Sequence, residues 1–112
     1  MHRALQSDER VIHMSALTLQ DVKDRLRVDF ADEMTDRDLT RYIEEANMYS
    51  RGALGAGYPA DDERVKSAQC DYIRLSYDSA NISEKERSAL EKRIERLHTQ
   101  VRLEMRLGSD DV

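Results

Sequence analysis

A chain of 112 residues in which 37% are charged and only 5% aromatic, with no Trp and one Phe, is a single domain with a modest core. At this length about 65% of the unfolded surface is buried on folding, so most of each element must face water. The formal net charge of -5, with acids and bases interleaved rather than blocked, weighs against nucleic-acid binding driven by phosphate neutralisation.

Helix signals dominate the chain. Residues 1–13 have no clear period and read as an N-terminal extension, with Met14 a possible alternative start, and residues 14–112 read as one helical domain. Thr18 followed by Asp21 resembles a capping box, and Leu19, Val22 and Leu26 fall on one face of a first helix of about three turns. Val28 and Phe30 then fold back as apolar plugs, while Asp29, Asp32 and Glu33 occupy a polar connection. Thr35 or Asp36 caps a second helix, whose stripe is Leu39, Tyr42, Ile43, Ala46 and Tyr49. Gly52 stops it.

The segment RGALGAGYPADD is a flexible link, in which Pro59 precedes the candidate caps Asp61 and Asp62. A third helix is expected from about Glu63 to Ser79. Its apolar residues form two adjacent stripes, Val65, Ala68, Tyr72 and Leu75 beside Cys70, Ile73 and Tyr77, which makes it the central helix. Ser83 and Glu86 open a last helix over about 84–107, roughly 36 Å long. Leu90, Ile94, Leu97, Val101 and Met105 form its main stripe. Leu103 and Leu107 project about 200° away from it. The expected fold is all-α, a small bundle of about four helices with a long C-terminal helix.

Catalytic signatures are missing. His2, His13 and His98 lack the i, i+4 pairing of a helical zinc site and read as solvated. Cys70 excludes an intrachain disulfide and a cysteine zinc cluster, suits a reducing compartment, and reads as a buried structural thiol. The glycines of GALGAG follow a helix rather than a strand and lack a following Lys plus Ser or Thr, so they read as a hinge and not a phosphate loop. The acidic stretch DFADEMTDRD lacks the central Gly of a calcium loop. Tyr42, Tyr49, Tyr72 and Tyr77 read as core residues with a hydrogen-bonded edge. Arg93, Arg96, Arg102 and Arg106 alternate with Glu91, Glu95 and Glu104 and read as a solvated, ion-paired face. No catalytic residue, cofactor or metal is expected. No run approaches the roughly 20 apolar residues of a membrane span, and the start carries Asp8, Glu9 and Arg10 where a signal peptide is apolar. A soluble protein made in the cytoplasm is expected.

The order LTLQDVKDRLRVD, acidic connection, LTRYIEEANMYSRGALG, a Pro with an acidic cap, then RVKSAQCDYIRLSYDSA is similar to the small head-tail connector proteins of tailed bacteriophages, also called head-completion or adaptor proteins. The likeness covers about Leu17 to Ala80. The chain departs from the family in a less continuously aliphatic third helix and a longer, more charged C-terminal part. The resemblance implies a ring of identical subunits beneath the portal protein of the virion neck, extending the DNA channel and docking a downstream neck or tail protein. DNA would pass through without sequence-specific binding, and no enzymatic activity is implied. Synthesis would be in the bacterial host cytoplasm, with no membrane partner. The alternative is a small helical DNA-binding or regulatory module. That module would use the second or third helix for a groove, whereas for the connector the expected protein interface draws on Gly52, Leu54, Gly55, Gly57 and Tyr58 of the link, and on Leu103, Arg106 and Leu107 of the two-sided last helix.

Overall fold

The computed structural model describes residues 17–29 and 31–110, with side chains described as far as Leu107. The expected extension over residues 1–13, the candidate start Met14 and the Phe30 plug lie outside them. Among the described residues the chain forms four α-helices and no strand: α1 (Leu19–Leu26), α2 (Glu33–Leu54), α3 (Glu63–Tyr77) and α4 (Glu84–Asp110), with a 3₁₀ turn at Ser79–Asn81. This is an all-α bundle with a long C-terminal helix, as the periodicity predicts.

The first capping box forms as read. Thr18 Oγ1 accepts from the Asp21 amide at 3.1 Å, and the Thr18 amide donates to Asp21 Oδ2 at 3.1 Å. The helix is shorter than three turns, with 8 residues, because Arg27 adopts the left-handed conformation at φ 61°. There its amide reaches the Asp24 carbonyl, and the Val28 amide reaches that of Lys23 at 2.8 Å. This paired closure turns the chain back on itself, and Val28 is buried as expected.

The cap of α2 is neither Thr35 nor Asp36. Asp32 takes the role, its Oδ2 accepting from the Thr35 amide at 3.1 Å and the Thr35 hydroxyl at 2.8 Å. Glu33 therefore lies in the first turn rather than in the connection, where its charge suits the helix N-terminus. Asp36 instead pairs with Lys23 of α1 at 2.6 Å.

Gly52 does not end α2, which runs on through Leu54 to Gly55. A helical glycine costs only about 1 kcal/mol, and the extra turn buries Leu54 against Val65 and Val101. The break comes at Gly55, where φ is 101° and ψ 164°. Only glycine tolerates that region readily.

Asp62, one of the two candidate caps, opens α3, its Oδ1 accepting from the Arg64 amide at 2.8 Å. This helix contacts each of the other three, and Val65, Ala68 and Ile73 on it are fully buried. It ends at Tyr77, where the 3₁₀ turn hands over to the Ser83–Glu86 box of α4. In that box the Glu86 amide meets Ser83 Oγ at 3.1 Å and the Ser83 amide meets Glu86 Oε1 at 3.3 Å.

The bundle measures 45 × 37 × 18 Å, so it is only two helix layers thick. One apolar cluster joins Leu17, Val22, Leu39, Ala46, Cys70 and Ile73 at the α1 end. A second joins Leu54, Val65 and Val101, flanked by Ala53, Tyr58 and Met105, at the other end.

The two glycines at the end of α2 should therefore respond in opposite directions in urea unfolding. A methyl at Gly52 meets open space, so Gly52→Ala stabilises by about 0.5–1 kcal/mol. Gly55→Ala destabilises by about 1–3 kcal/mol, because alanine is strained at that φ and ψ.

Candidate functional site

The two stretches expected to form an interface, far apart in sequence, meet at one end of the bundle. Leu54 at the close of α2 and Met105 on α4 pack on the same cluster with Tyr58. Arg102 Nε on α4 donates to the Ala53 carbonyl at 3.1 Å, taking up one of the carbonyls left open at the end of α2. Arg64 at the start of α3 forks onto Glu104 through two bonds of 2.7 Å, while its other bonds hold Asp62. The Glu104 and Asp62 partners raise the Arg64 guanidinium above its usual value. Arg64 in turn holds both carboxyls below theirs.

The expected interface residues divide sharply by environment. Leu54 is buried, so it anchors the bundle and is not an exposed contact; the continuation of α2 past Gly52 turned it inward. Tyr58 is half-buried, its hydroxyl donating to Asn47 Oδ1 at 3.1 Å. Gly52, Gly55 and Gly57 are exposed. Leu103 and Leu107 are 50% and 62% exposed, and Arg106 is exposed between them. These last three form an outward face on a helix whose inner face is already packed.

Behind this end lies a group of buried polar side chains. Gln69 of α3, 2% exposed, donates from Nε2 to Asn47 Oδ1 at 3.0 Å and to Ser50 Oγ at 3.1 Å. Ser50, on α2, lies 3.0 Å from Nε2 of His98 on α4. His98 Nδ1 faces the Ile94 carbonyl without completing a bond of good geometry. Ser50 Oγ accepts from Gln69 Nε2 and shares one hydrogen with His98 Nε2, the direction following the ring tautomer. Burial pushes the imidazole below its usual value; the Ile94 carbonyl opposes the shift and the Arg102 charge adds to it. The ring is neutral.

The expected solvated His98 is thus corrected: it is 3% exposed and hydrogen-bonded. Its position explains the burial, one turn after Ile94 and three residues before Val101 on the core-facing side. His2 and His13 lie outside the described residues. Of this group only His98 stands out in the sequence, and the partners that bury it lie on other helices. The available signal was three hydrogen-bonding side chains at i+4 from apolar core positions, Ala46, Val65 and Ile94.

The Ser50–His98 contact has the spacing of a nucleophile and its base. Both side chains are closed to solvent and the hydroxyl is also held by Gln69, so the geometry ties α2, α3 and α4 together rather than presenting an oxygen to a substrate. Cys70 is buried as expected, with burial pushing its thiol up to about 11. Burial also raises the Asp71 carboxyl, opposed by Arg93 at 3.2 Å and by Arg74. Among the described residues no three His, Cys, Asp or Glu side chains are placed to hold a metal ion, and no helix is long and apolar enough to cross a membrane.

Two further expectations need correcting. Tyr49 is not a core residue but 44% exposed, stacked on Tyr72 at 4.9 Å and meeting His98 edge-on at 5.4 Å. The arginines of α4 do not form a face paired along the helix. Arg93 reaches across to Asp71 and Arg102 to the end of α2. No family model, curated protein or solved structure matches the chain.

Two outcomes test the buried group. Unfolded, His98 takes up a proton near pH 6.5, whereas the folded protein resists it. Stability is therefore complete above that value and falls as the pH drops below it, by at most about 1.4 kcal/mol per pH unit, levelling off at the depressed folded value. Urea midpoints taken between about pH 7.5 and 5.5 should show this slope, and His98→Gln should flatten it. Ser50→Ala, which takes one of two acceptors from the Gln69 amide and the partner from the imidazole Nε2, should cost about 1–3 kcal/mol at pH 8.

Proposed function

We propose that this protein is a structural head-tail connector of a tailed phage or phage-like particle. In this reading it docks beneath the portal, extends the DNA channel and offers a platform to the next neck or tail component, without catalysis. The observation that carries the reading is the outward face of Leu103, Arg106 and Leu107 on a helix whose other side packs into the bundle through Ile94, His98 and Val101. A pair of leucines one turn apart gains nothing from water and suits contact with another protein surface.

Two further features support it. The capped helix, acidic connection and second capped helix stand in the order of the connector family that the sequence resembles. The net charge of -5 suits a channel wall past which duplex DNA slides without being gripped. A ring of identical subunits needs heterologous contacts, one surface fitting a different one on the neighbour. The outward face of α4 supplies one such surface.

Co-expression with the portal protein encoded in the same genome, followed by native mass spectrometry, tests the role directly. Several copies of the chain bound per portal ring are expected. A free monomer in the presence of assembled portal would overturn the reading. Salt-sensitive binding of the isolated chain to duplex DNA would replace it with that of a DNA-binding module.

A further inference from the structure

Between α2, α3 and α4 lies a cleft of about 190 Å³, walled by Tyr49, Tyr72, Leu75 and Ile94, with Glu91 at its rim. The two tyrosine rings are stacked, with an interplanar angle of 24°, and the outer ring is the exposed one. Among the described residues Glu91 has no ion-pair partner. Apolar walls, aromatic faces and a single unneutralised carboxylate together select a cationic head on an apolar stem, which is the chemistry of an arginine or lysine side chain.

The same chain carries that chemistry elsewhere. Arg106 is exposed and, among the described residues, likewise has no ion-pair partner. It sits between the exposed Leu103 and Leu107. At about 100° per residue, Leu103 points roughly 180° away from Ile94. Arg106 lies only about 60° from Glu91 around α4 but roughly 22 Å further along it, so the helix cannot bring these two charges together. A second copy can supply the complement, through a contact of one face with a different face. Repeated head to tail, such contacts close into rings or continue as filaments.

We propose that the Leu103–Arg106–Leu107 face of one copy docks on the Tyr49–Tyr72 cleft of the next. Arg106 lies against the tyrosine faces beside Glu91, and the two leucines cover Leu75 and the exposed edge of Tyr49. The proposal rests on the connector reading for its ring, while the choice of the cleft rests on charge and shape alone.

Sedimentation velocity on the full chain over a wide concentration range tests it. The wild type should self-associate, Glu91→Arg and Arg106→Glu should each weaken association by roughly tenfold, and the double reversal should recover most of the loss. Both positions are exposed, and circular dichroism checks that the variants fold. Leu103→Ser with Leu107→Ser should abolish association. A wild-type chain monomeric at every concentration would overturn the proposal, as would reversals that leave association unchanged or a double reversal no better than the singles. Portal capture separates the two readings. A chain that binds portal but ignores the Glu91 reversal has lost only its cleft assignment, whereas one that binds no portal has lost the connector role as well.

Discussion

Gln69 sits at the middle of α3 with an amide nitrogen that is buried and must find acceptors, and it finds both on α2, at Asn47 and Ser50. Ser50 passes the connection on to His98 of α4. An apolar stripe alone sets helix register weakly, because a shift of one turn presents another aliphatic residue of similar size. Here the same shift would leave a buried amide, hydroxyl or imidazole without a partner, at a cost of about 1–3 kcal/mol for each. The hydrogen bonds add little net stability, yet they make the alternatives expensive. The three longest helices are thereby held in one arrangement.

That constraint matters more because the hydrophobic core is small. The two apolar clusters contain few large side chains, and the bundle is two layers thick. Its helix ends are correspondingly well finished: reciprocal capping at Thr18 and Ser83, aspartate caps at Asp32 and Asp62, and a backbone closure at Arg27. Most of the ion pairs that join different helices lie at such ends. Lys23–Asp36 and Arg25–Glu63 hold α1 to α2 and α3, and Arg64 holds the start of α3 to α4. Exposed pairs contribute little individually, but these sit where fraying would otherwise begin.

The helices, their order, the centrality of α3 and three of the four caps, Asp62 as one of two candidates, were legible because they depend on local rules: a 3.6-residue apolar period and the short reach of Thr, Ser and acidic side chains to nearby amides. Of the features that were not, two show most clearly how tertiary packing overrides local rules. Gly52 reads as a stop by propensity, but burial of Leu54 against Val65 and Val101 outweighs a helical glycine, so α2 continues. His98 reads as solvated because no metal-binding partner is near in sequence, yet its hydrogen-bond partner is 48 residues away on another helix. The candidate contact face was half legible. The outward direction of Leu103 and Leu107 follows from helical geometry, whereas the inward turn of Leu54 and the meeting of both stretches at one end follow from the packing.

Solitary exposed apolar residues are ordinary on a protein surface, and Met34 and Met48 on the outer side of α2 need no further account. Leu103 and Leu107 differ in their support. The turn that carries them is fixed to the end of α2 by the Arg102 bond to Ala53 and to the start of α3 by the Arg64 fork on Glu104, while Val101 and Met105 hold its other side in the core. A contact face built on a braced helix loses little conformational freedom when a partner covers it, so more of the contact energy remains as affinity. On the connector reading this is what a small subunit requires. With a core too thin to dominate its own assembly, it must present its few apolar contacts already ordered.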